Sequence, residues 1–214
     1  MTNPILVNNW RGDMVEACHR GSIVVSDPDG RIIHSWGDTE RLIYPRSAIK
    51  ALQAIPLIET GAADYFSLTD TELALSCSSH QAEKEHIEAI QTWLNKLGLS
   101  ENDLECGPHD PSDHTSMVDL YRQDLLPCRM HNNCSGKHTG MLTTSKFLGG
   151  PTSGYIDYDH PAQQGWIRIM GELTNLNLDE LPHNTDGCGI PVIALPQKSI
   201  AQAFARFANP NDLP

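Results

Sequence analysis

The 214-residue sequence is poor in positive charge and has no long apolar run. Lysine and arginine together number 15 against 27 acidic residues, so the formal net charge is -12. No segment approaches the ~20 consecutive apolar residues that a membrane-spanning helix needs. No basic block interrupts the acidic chain, which makes nucleic acids and anionic membranes poor binding partners. We therefore predict neither a nucleic-acid partner nor a membrane partner.

Three sequence signals for secretion or zinc peptidase chemistry are also missing. The first ten residues lack the basic start and apolar core of a secretory signal peptide. The six cysteines never form a Cys-x-x-Cys pair, and such scattered cysteines are typical of reduced thiols rather than a disulfide framework. The His-Glu-x-x-His motif of one zinc peptidase class is absent. These features predict a cytoplasmic protein.

At 214 residues the chain fits one large domain or a tight two-lobed one, and with 39% of its residues hydrophobic it is long enough to bury a real core. A hairpin is predicted from Met14 to Trp36, around the turn sequence Asp27-Pro28-Asp29-Gly30. A capping box at Thr69–Glu72 predicts the start of a short helix. Further predicted helices occupy about 47–55, 84–97, 161–173 and 197–208. The pattern weakens over 100–130, where two prolines and a glycine predict a loop at Cys106–Pro111. His109, Asp113 and His114 are there either solvated side chains or metal ligands.

The segment Arg46-Ser47-Ala48-Ile49-Lys50 is the first candidate for chemistry. Positions i and i+3 of a helix share a face, so Ser47 and Lys50 are expected to lie within mutual reach. A lysine can take a proton from a serine only when burial or a neighbouring cation lowers its pKa. Arg46 is a cation that can lower that pKa or bind a substrate carboxylate. A Ser-x-x-Lys pattern alone is weak support for catalysis.

Ser79 follows in the polar sequence Cys77-Ser78-Ser79-His80. It has two compatible interpretations, as the N-cap of the next helix or as a second active-site hydroxyl.

The sequence from His131 to Leu142 is the most unusual stretch. It brings Cys134, Lys137 and His138 together with cap-forming residues and two glycines, just before a predicted helix. The N-terminus of that helix could hold an anion or lower the pKa of Cys134. Further along, Asp186-Gly187-Cys188-Gly189 predicts a tight bend that exposes the Cys188 sulfur.

These segments together resemble the L-asparaginase II family of the thermolabile rhizobial type. The resemblance rests on six segments in the family's order and spacing: Arg46–Pro56, Ser78–His80, Cys106–His109, Asn132–Leu142, His160-Pro161 and Asp186–Pro191. It implies a single domain, 1–214, of α+β class, with a fold like the serine β-lactamases and penicillin-binding proteins, in which an antiparallel sheet is flanked by helices. It also implies hydrolysis of L-asparagine to L-aspartate and ammonia.

The same resemblance implies roles for individual residues. Ser47 would be the nucleophile, Lys50 its base, and Ser79 a second hydroxyl in the proton relay. Cys134, Lys137 and Cys188 match residues that hold zinc, and two thiolates with a neutral amine and water would make a tetrahedral site. Arg46, His138 and Asp186 are expected to bind the charged α-carboxylate and α-amino groups of the substrate. Members of the family are commonly homodimers.

The chain departs from the family pattern after Pro191, where no Lys-Gly-Gly segment comparable to the β-lactamase Lys-Thr-Gly strand occurs. We therefore expect a chain whose C-terminal part is missing. Two alternatives to an active asparaginase stay open, the first because of this missing part and the second because of the Ser-x-x-Lys pattern. One is a catalytically inactive fragment that binds only ligand or zinc. The other is a penicillin-interactive serine enzyme, against which the cysteine-bearing motifs and the missing Lys-Thr-Gly sequence argue.

Overall fold

A computed structural model of the protein describes residues 3–209 and confirms the mixed α+β class. The strands are β1 (Ile5–Arg11), β2 (Met14–Arg20), β3 (Ile23–Ser26), β4 (Ile32–Trp36), β5 (Leu42–Ile43), β6 (His183–Thr185), β7 (Pro191–Ile193) and β8 (Leu195–Pro196). The α-helices are α1 (Lys50–Gln53), α2 (Ile55–Glu59), α3 (Ala62–Tyr65), α4 (Asp70–Cys77), α5 (Lys84–Lys96), α6 (His114–Arg122), α7 (Ser135–Phe147), α8 (Pro161–Thr174) and α9 (Gln197–Ala208). Single 3-10 turns occupy Arg46–Ile49, Glu101–Asp103, Arg129–His131 and Leu178–Glu180.

The described strands pair two by two, as β1-β2, β3-β4, β5-β8 and β6-β7. The predicted hairpin is present as β3 and β4, in which Val24 opposes Ser35 across the turn at 27–30. Strand β2 differs from the prediction because it pairs with β1, with Asn8 opposite Cys18. The expected antiparallel sheet is thus represented, within residues 3–209, by separate two-stranded pairs.

The structure divides into two compact units, of which one comprises 3–45, 170–182 and 193–209. In this unit α9 packs against β3 and β8, and β5 pairs with β8. Ala203 of α9 is completely buried, together with Met170. Strands β1 and β2, by contrast, are exposed along their whole length.

The other unit comprises 46–169 and 183–192 and is built around α7. Helix α7 contacts α2, α3, α4 and α5, and every residue from Ser135 to Ser145 is buried. Thr139 and Thr143 satisfy their buried hydroxyls by donating to the carbonyls of Ser135 and Thr139, one turn earlier. The completely buried Trp93 and Leu142 belong to the core of this unit. All nine candidate site residues lie in this unit.

Local sequence signals explain several element boundaries. Thr69 and Glu72 form the predicted capping box, in which the Glu72 amide donates to Thr69 Oγ1 and the Thr69 amide donates to Glu72 Oε2 at 2.7 Å. The predicted helix at 47–55 is interrupted at Ala54, since Pro56 has no amide hydrogen to donate. Among residues 3–209, no helix combines the length and the apolar character needed to cross a bilayer.

Candidate active site

The Ser47 segment enters the site through a strained backbone. Arg46 has a φ of 47°, in the left-handed region that a residue with a Cβ rarely adopts, and the chain then makes a 3-10 turn over Arg46–Ile49. Ser47 is exposed, and Lys50 begins α1 three residues later. Ser47 thus lies in the 3-10 turn and Lys50 in the helix that follows it, and the shared face of these two residues stays a prediction.

Lys50 is a buried lysine whose amine reaches the Ser79 segment. Its side chain is 2% exposed, and Nζ donates to the Ser78 carbonyl at 2.6 Å and to Ser79 Oγ at 2.8 Å. Among the described residues, the hydroxyl that hydrogen-bonds to Lys50 Nζ is that of Ser79 and not that of Ser47. Burial lowers the pKa of Lys50 below its usual value, and the nearby Lys137 acts in the same direction. The lysine is therefore suited to act as a base.

Ser79 is presented by the end of α4. The helix stops at Cys77, Ser78 is extended with ψ of 161°, and Ser79 becomes exposed. The N-cap of the following helix α5 is Glu83, so Ser79 is not the cap that the sequence allowed. His80 holds the segment from the other side, since its amide donates to the Asn133 carbonyl and its Nε2 lies 2.8 Å from Ser135 Oγ.

The structure brings together Cys134, Lys137 and Cys188, although Cys188 is 51 positions from Lys137 in the sequence. Cys134 directly precedes α7, and Asn132 Oδ1 accepts from its amide at 2.9 Å. Lys137 Nζ is 3.1 Å from Cys188 Sγ. The predicted bend is closed by the Gly189 amide, which donates to the Asp186 carbonyl. The prediction that this bend exposes the Cys188 sulfur is wrong, because Cys188 is 6% exposed and its sulfur turns inward to Lys137.

The two thiols share a hydrogen bond that separates their acidities. The bond lowers the pKa of Cys188 and raises that of Cys134, since a thiolate at Cys188 accepts from the thiol of Cys134. Burial further raises the pKa of Cys134, whereas His138 and the Lys137 charge further favour the Cys188 thiolate. The lowered pKa, which the sequence allowed at Cys134 as one of two possibilities, is therefore found at Cys188.

His138 is completely buried on α7. Its Nδ1 is 2.7 Å from the hydroxyl of Tyr155, and the two rings are edge to face. Burial lowers the pKa of His138, an effect that the Cys188 interaction opposes. The imidazole is therefore placed among the cysteines and not at the surface where Ser47 and Ser79 lie.

Arg46 and Asp186 form an ion pair at the surface of this unit, with Arg46 Nε 2.8 Å from Asp186 Oδ1. The Asp186 oxygen also accepts from the Gly187 amide at 2.8 Å. The arginine side chain is 64% exposed, so the pair contributes little to stability. It nevertheless places a cation and an anion side by side, one residue from Ser47.

The donor set at Cys134, Lys137 and Cys188 suits a zinc ion chemically, since thiolates and a neutral nitrogen are zinc ligands. Its third member is an amine, and the part of the chain described here holds no group of three His, Cys, Asp or Glu side chains able to bind a metal. His109, Asp113 and His114 therefore form no such group, and Asp113 instead caps α6 by accepting from the Ser116 amide at 2.7 Å.

Two residues near the site were not among the predicted site residues, namely His80 and Tyr155. His80 carried a signal, because it stands next to Ser79 in one of the six recognised segments. Tyr155 carried none beyond its position before α8. A cavity of about 310 Å³ lies elsewhere in the same unit, lined by α5, α6 and His131 and by none of the nine predicted site residues.

A protein-family model described as L-asparaginase II matches residues 7–214. The chain belongs to the L-asparaginase II family. Comparison with individually curated proteins gives no significant match. As a member of this family the chain is an asparaginase-type amidohydrolase, and the serines, lysines and cysteines described above lie inside the matched range.

Proposed function

We propose that this L-asparaginase II family member hydrolyses the side-chain amide of L-asparagine to L-aspartate and ammonia. The carrying observation is the hydrogen bond between the buried amine of Lys50 and the exposed hydroxyl of Ser79, one 3-10 turn from the exposed Ser47. A buried amine in contact with a surface hydroxyl is an arrangement suited to serine-lysine acyl transfer.

In the proposed mechanism Ser47 Oγ attacks the amide carbon while its proton passes to the neutral amine of Lys50, directly or through Ser79. A neutral amine has two N–H bonds and one lone pair, and two N–H bonds suffice for the contacts with Ser78 and Ser79. The lone pair can then accept the proton. The oxyanion collapses, the protonated lysine gives its proton to the leaving nitrogen, and ammonia departs. Water then hydrolyses the Ser47 ester by the reverse proton path.

The Arg46-Asp186 pair supports recognition of a zwitterion. Asparagine carries an α-carboxylate and an α-amino group, and the pair offers one charge of each sign beside Ser47. We propose that Arg46 binds the carboxylate and that Asp186 binds the ammonium group. The direct substrate contact expected of His138 stays a prediction, and the complete burial of its ring favours a role through Cys188.

We also propose that Cys134, Lys137 and Cys188 hold a zinc ion, which would supply positive charge beside the Lys50 amine. The support is their burial, the contact of Lys137 with Cys188, and the preference of Cys188 for the thiolate. The unpaired cysteines of the described residues are compatible with a cytoplasmic location, which stays a prediction, as does the homodimer.

Ammonia release from L-asparagine tests the proposal, after circular dichroism has shown that each variant folds. We expect Ser47→Ala and Lys50→Met to lower kcat by roughly 10³-fold or more, because each removes a member of one catalytic unit. Ser112→Ala changes an exposed serine of the same unit and should leave the rate unaltered.

Full activity in both Ser47→Ala and Lys50→Met would remove the serine-lysine assignment. Loss in Ser79→Ala together with full activity in Ser47→Ala would move the nucleophile to Ser79. A folded protein that binds asparagine and releases no ammonia would support the ligand-binding alternative.

A further inference from the structure

Tyr155 connects three groups that are distant in sequence. Its hydroxyl accepts a hydrogen bond from the Glu105 amide at 2.8 Å and lies 2.7 Å from His138 Nδ1. Tyr155 and His138 are both completely buried, so neither group can exchange its partner for bulk water. The positions of the hydrogens in these two hydrogen bonds therefore follow from the number of donors and acceptors alone.

A phenol has one hydrogen to donate. The Glu105 amide can only donate, so the Tyr155 oxygen accepts that bond and its own hydrogen is left for His138 Nδ1. Nδ1 must then be the acceptor of the imidazole ring. In a neutral imidazole the hydrogen is consequently on Nε2.

The opposite arrangement leaves a buried hydrogen unsatisfied. If Nδ1 carried the hydrogen, the Tyr155 oxygen would accept hydrogen bonds from both the Glu105 amide and His138 Nδ1. The phenol hydrogen would then have no acceptor among the described residues. A buried polar hydrogen without a partner costs about 1–3 kcal/mol. In the Nε2–H tautomer the phenol hydrogen has His138 Nδ1 as its acceptor.

The Nε2 atom is buried and has no hydrogen-bond partner among the described residues. The neighbouring Cys188 side chain interacts with the His138 ring. The same sulfur is contacted by Lys137 Nζ at 3.1 Å. Cys188 Sγ is thus the acceptor available to the Nε2 hydrogen.

We propose that Tyr155 is a positioning residue that fixes His138 as the Nε2–H tautomer, so that His138 donates a hydrogen bond to the sulfur of Cys188. The link from Cys188 to catalysis rests on the proposed function, but the tautomer does not. In this role His138 is not a metal ligand, because its Nε2 lone pair is occupied by hydrogen. A donor to a ligating sulfur orients it and stabilises its negative charge.

The direct test is the tautomer of His138 in the intact protein labelled with nitrogen-15 at histidine, measured by long-range proton–nitrogen NMR correlation. Comparison with His138→Gln assigns the signal among the ten histidines. We expect a protonated Nε2 and an unprotonated Nδ1, both as isolated and after treatment with a chelator. A protonated Nδ1 in the wild-type protein would overturn the proposal, whether or not any variant folds.

Tyr155→Phe tests the causal part, since it removes only the hydroxyl. We expect the His138 signal to shift to the Nδ1–H form or to a mixture of the two tautomers. Tyr121→Phe is the matched control, because its hydroxyl donates to the exposed Asp110 at 2.7 Å and does not touch the cluster. An unchanged Nε2–H signal in folded Tyr155→Phe would show that Tyr155 does not set the tautomer.

Zinc affinity gives a second readout that needs no turnover. We expect Tyr155→Phe to weaken zinc binding about 10- to 100-fold in a chelator competition, as removal of a group behind a metal ligand does, with Tyr121→Phe unchanged. Equal affinity in the two variants would contradict the effect on Cys188.

A protein with the Nε2–H tautomer that releases no ammonia would refute the proposed function alone. An active protein with Nδ1–H would refute this inference alone.

Discussion

His80 is a single residue that ties together two segments of the candidate active site. Its Nδ1 accepts from the Ala82 amide at 3.1 Å, so its Nε2 carries the hydrogen donated to Ser135 Oγ. Ser135 passes its own hydrogen to the Met130 carbonyl at 2.8 Å. The ring thus joins the segment that presents Ser79 to the first turn of α7. Each hydrogen in this series of hydrogen bonds has an acceptor only while His80 is neutral, because a proton on Nδ1 would face the Ala82 amide.

The stability of the protein should therefore fall in mild acid. Burial lowers the pKa of His80 from 6.5 to about 4, so between these values the unfolded chain binds a proton that the folded protein does not. The stabilisation is complete above pH 6.5 and is lost as the pH falls toward 4. We expect His80 to account for a loss of about 2 kcal/mol in unfolding free energy between pH 7 and pH 5, measured by urea denaturation.

His80→Gln is the variant that isolates this contribution. Glutamine cannot titrate, so the pH-dependent loss should be smaller by that amount, whatever the variant's stability at pH 7. His114→Gln changes an exposed histidine and should keep the wild-type pH dependence. A wild-type dependence in His80→Gln would mean that His80 is already protonated in the folded protein.

The identities of the candidate residues were more predictable than their partners. Arg46, Ser47, Lys50 and Cys134 stand in short motifs, where spacing along one turn determines a shared face. The hydrogen bonds from Lys50 to Ser79 and from Tyr155 to His138 join segments separated by 29 and 17 positions. Local spacing carries no information on such pairs, since they depend on how α1, α4 and α7 pack.

At the level of elements, the close approach of α4 and α7 determines the distance between Ser79 and the cysteine cluster. Gly136 lies on α7 where a Cβ would come within 2.5 Å of the Leu75 carbonyl oxygen of α4. Backbone atoms cannot rotate away as a flexible side chain can. The contact therefore needs glycine, whatever the helix propensity of the replacement.

Gly136→Ala should separate these two helices. Alanine favours a helix by about 1 kcal/mol over glycine, but the collision should give a net loss of about 1–3 kcal/mol in the free energy of unfolding. The same shift should lower asparagine hydrolysis. Urea denaturation measures the first effect and ammonia release the second.

Gly107→Ala is the control for that experiment, because a Cβ at Gly107 meets no atom within 4 Å. It should leave both stability and activity close to those of the wild type. A Gly136→Ala protein as stable as the wild type would show that α7 can move away from α4 without cost.

Elements were predictable where their ends carry strong local signals. The capping box before α4 and the turn between β3 and β4 are of this kind. Strand β1 and helix α6 were missed. Helix α6 contains no buried residue, so its sequence is under little pressure to show a clear apolar stripe. Strand β1 is exposed along its length and lacks the polar and apolar alternation of a half-buried strand.

For the molecule as a whole, the apolar surface is concentrated on the exposed strands. Trp10 is 62% exposed and Met14 is 68% exposed, and neighbouring positions of β1–β4 add further large apolar side chains. Exposed apolar side chains of this size bind hydrophobic dyes.

The folded protein should therefore increase the fluorescence of 8-anilinonaphthalene-1-sulfonate at neutral pH. The double variant Trp10→Ser with Met14→Ser should reduce that increase, since it removes two of the most exposed apolar side chains. Tyr65→Ser, at a 71% exposed tyrosine of the other unit, should reduce it less. Equal dye binding by all three proteins would place the apolar surface elsewhere.

The unbroken burial of α7 also bears on how this sequence can change over generations. A helix ordinarily offers one side where replacements are harmless, but eleven consecutive positions from Ser135 to Ser145 have no such side. Gly136 and Gly140 occupy positions where α7 lies against α4. Random replacements should thus be eliminated along this helix far more often than along α6. Related proteins should therefore differ in the segments around α7 and keep the amino-acid sequence of α7 itself.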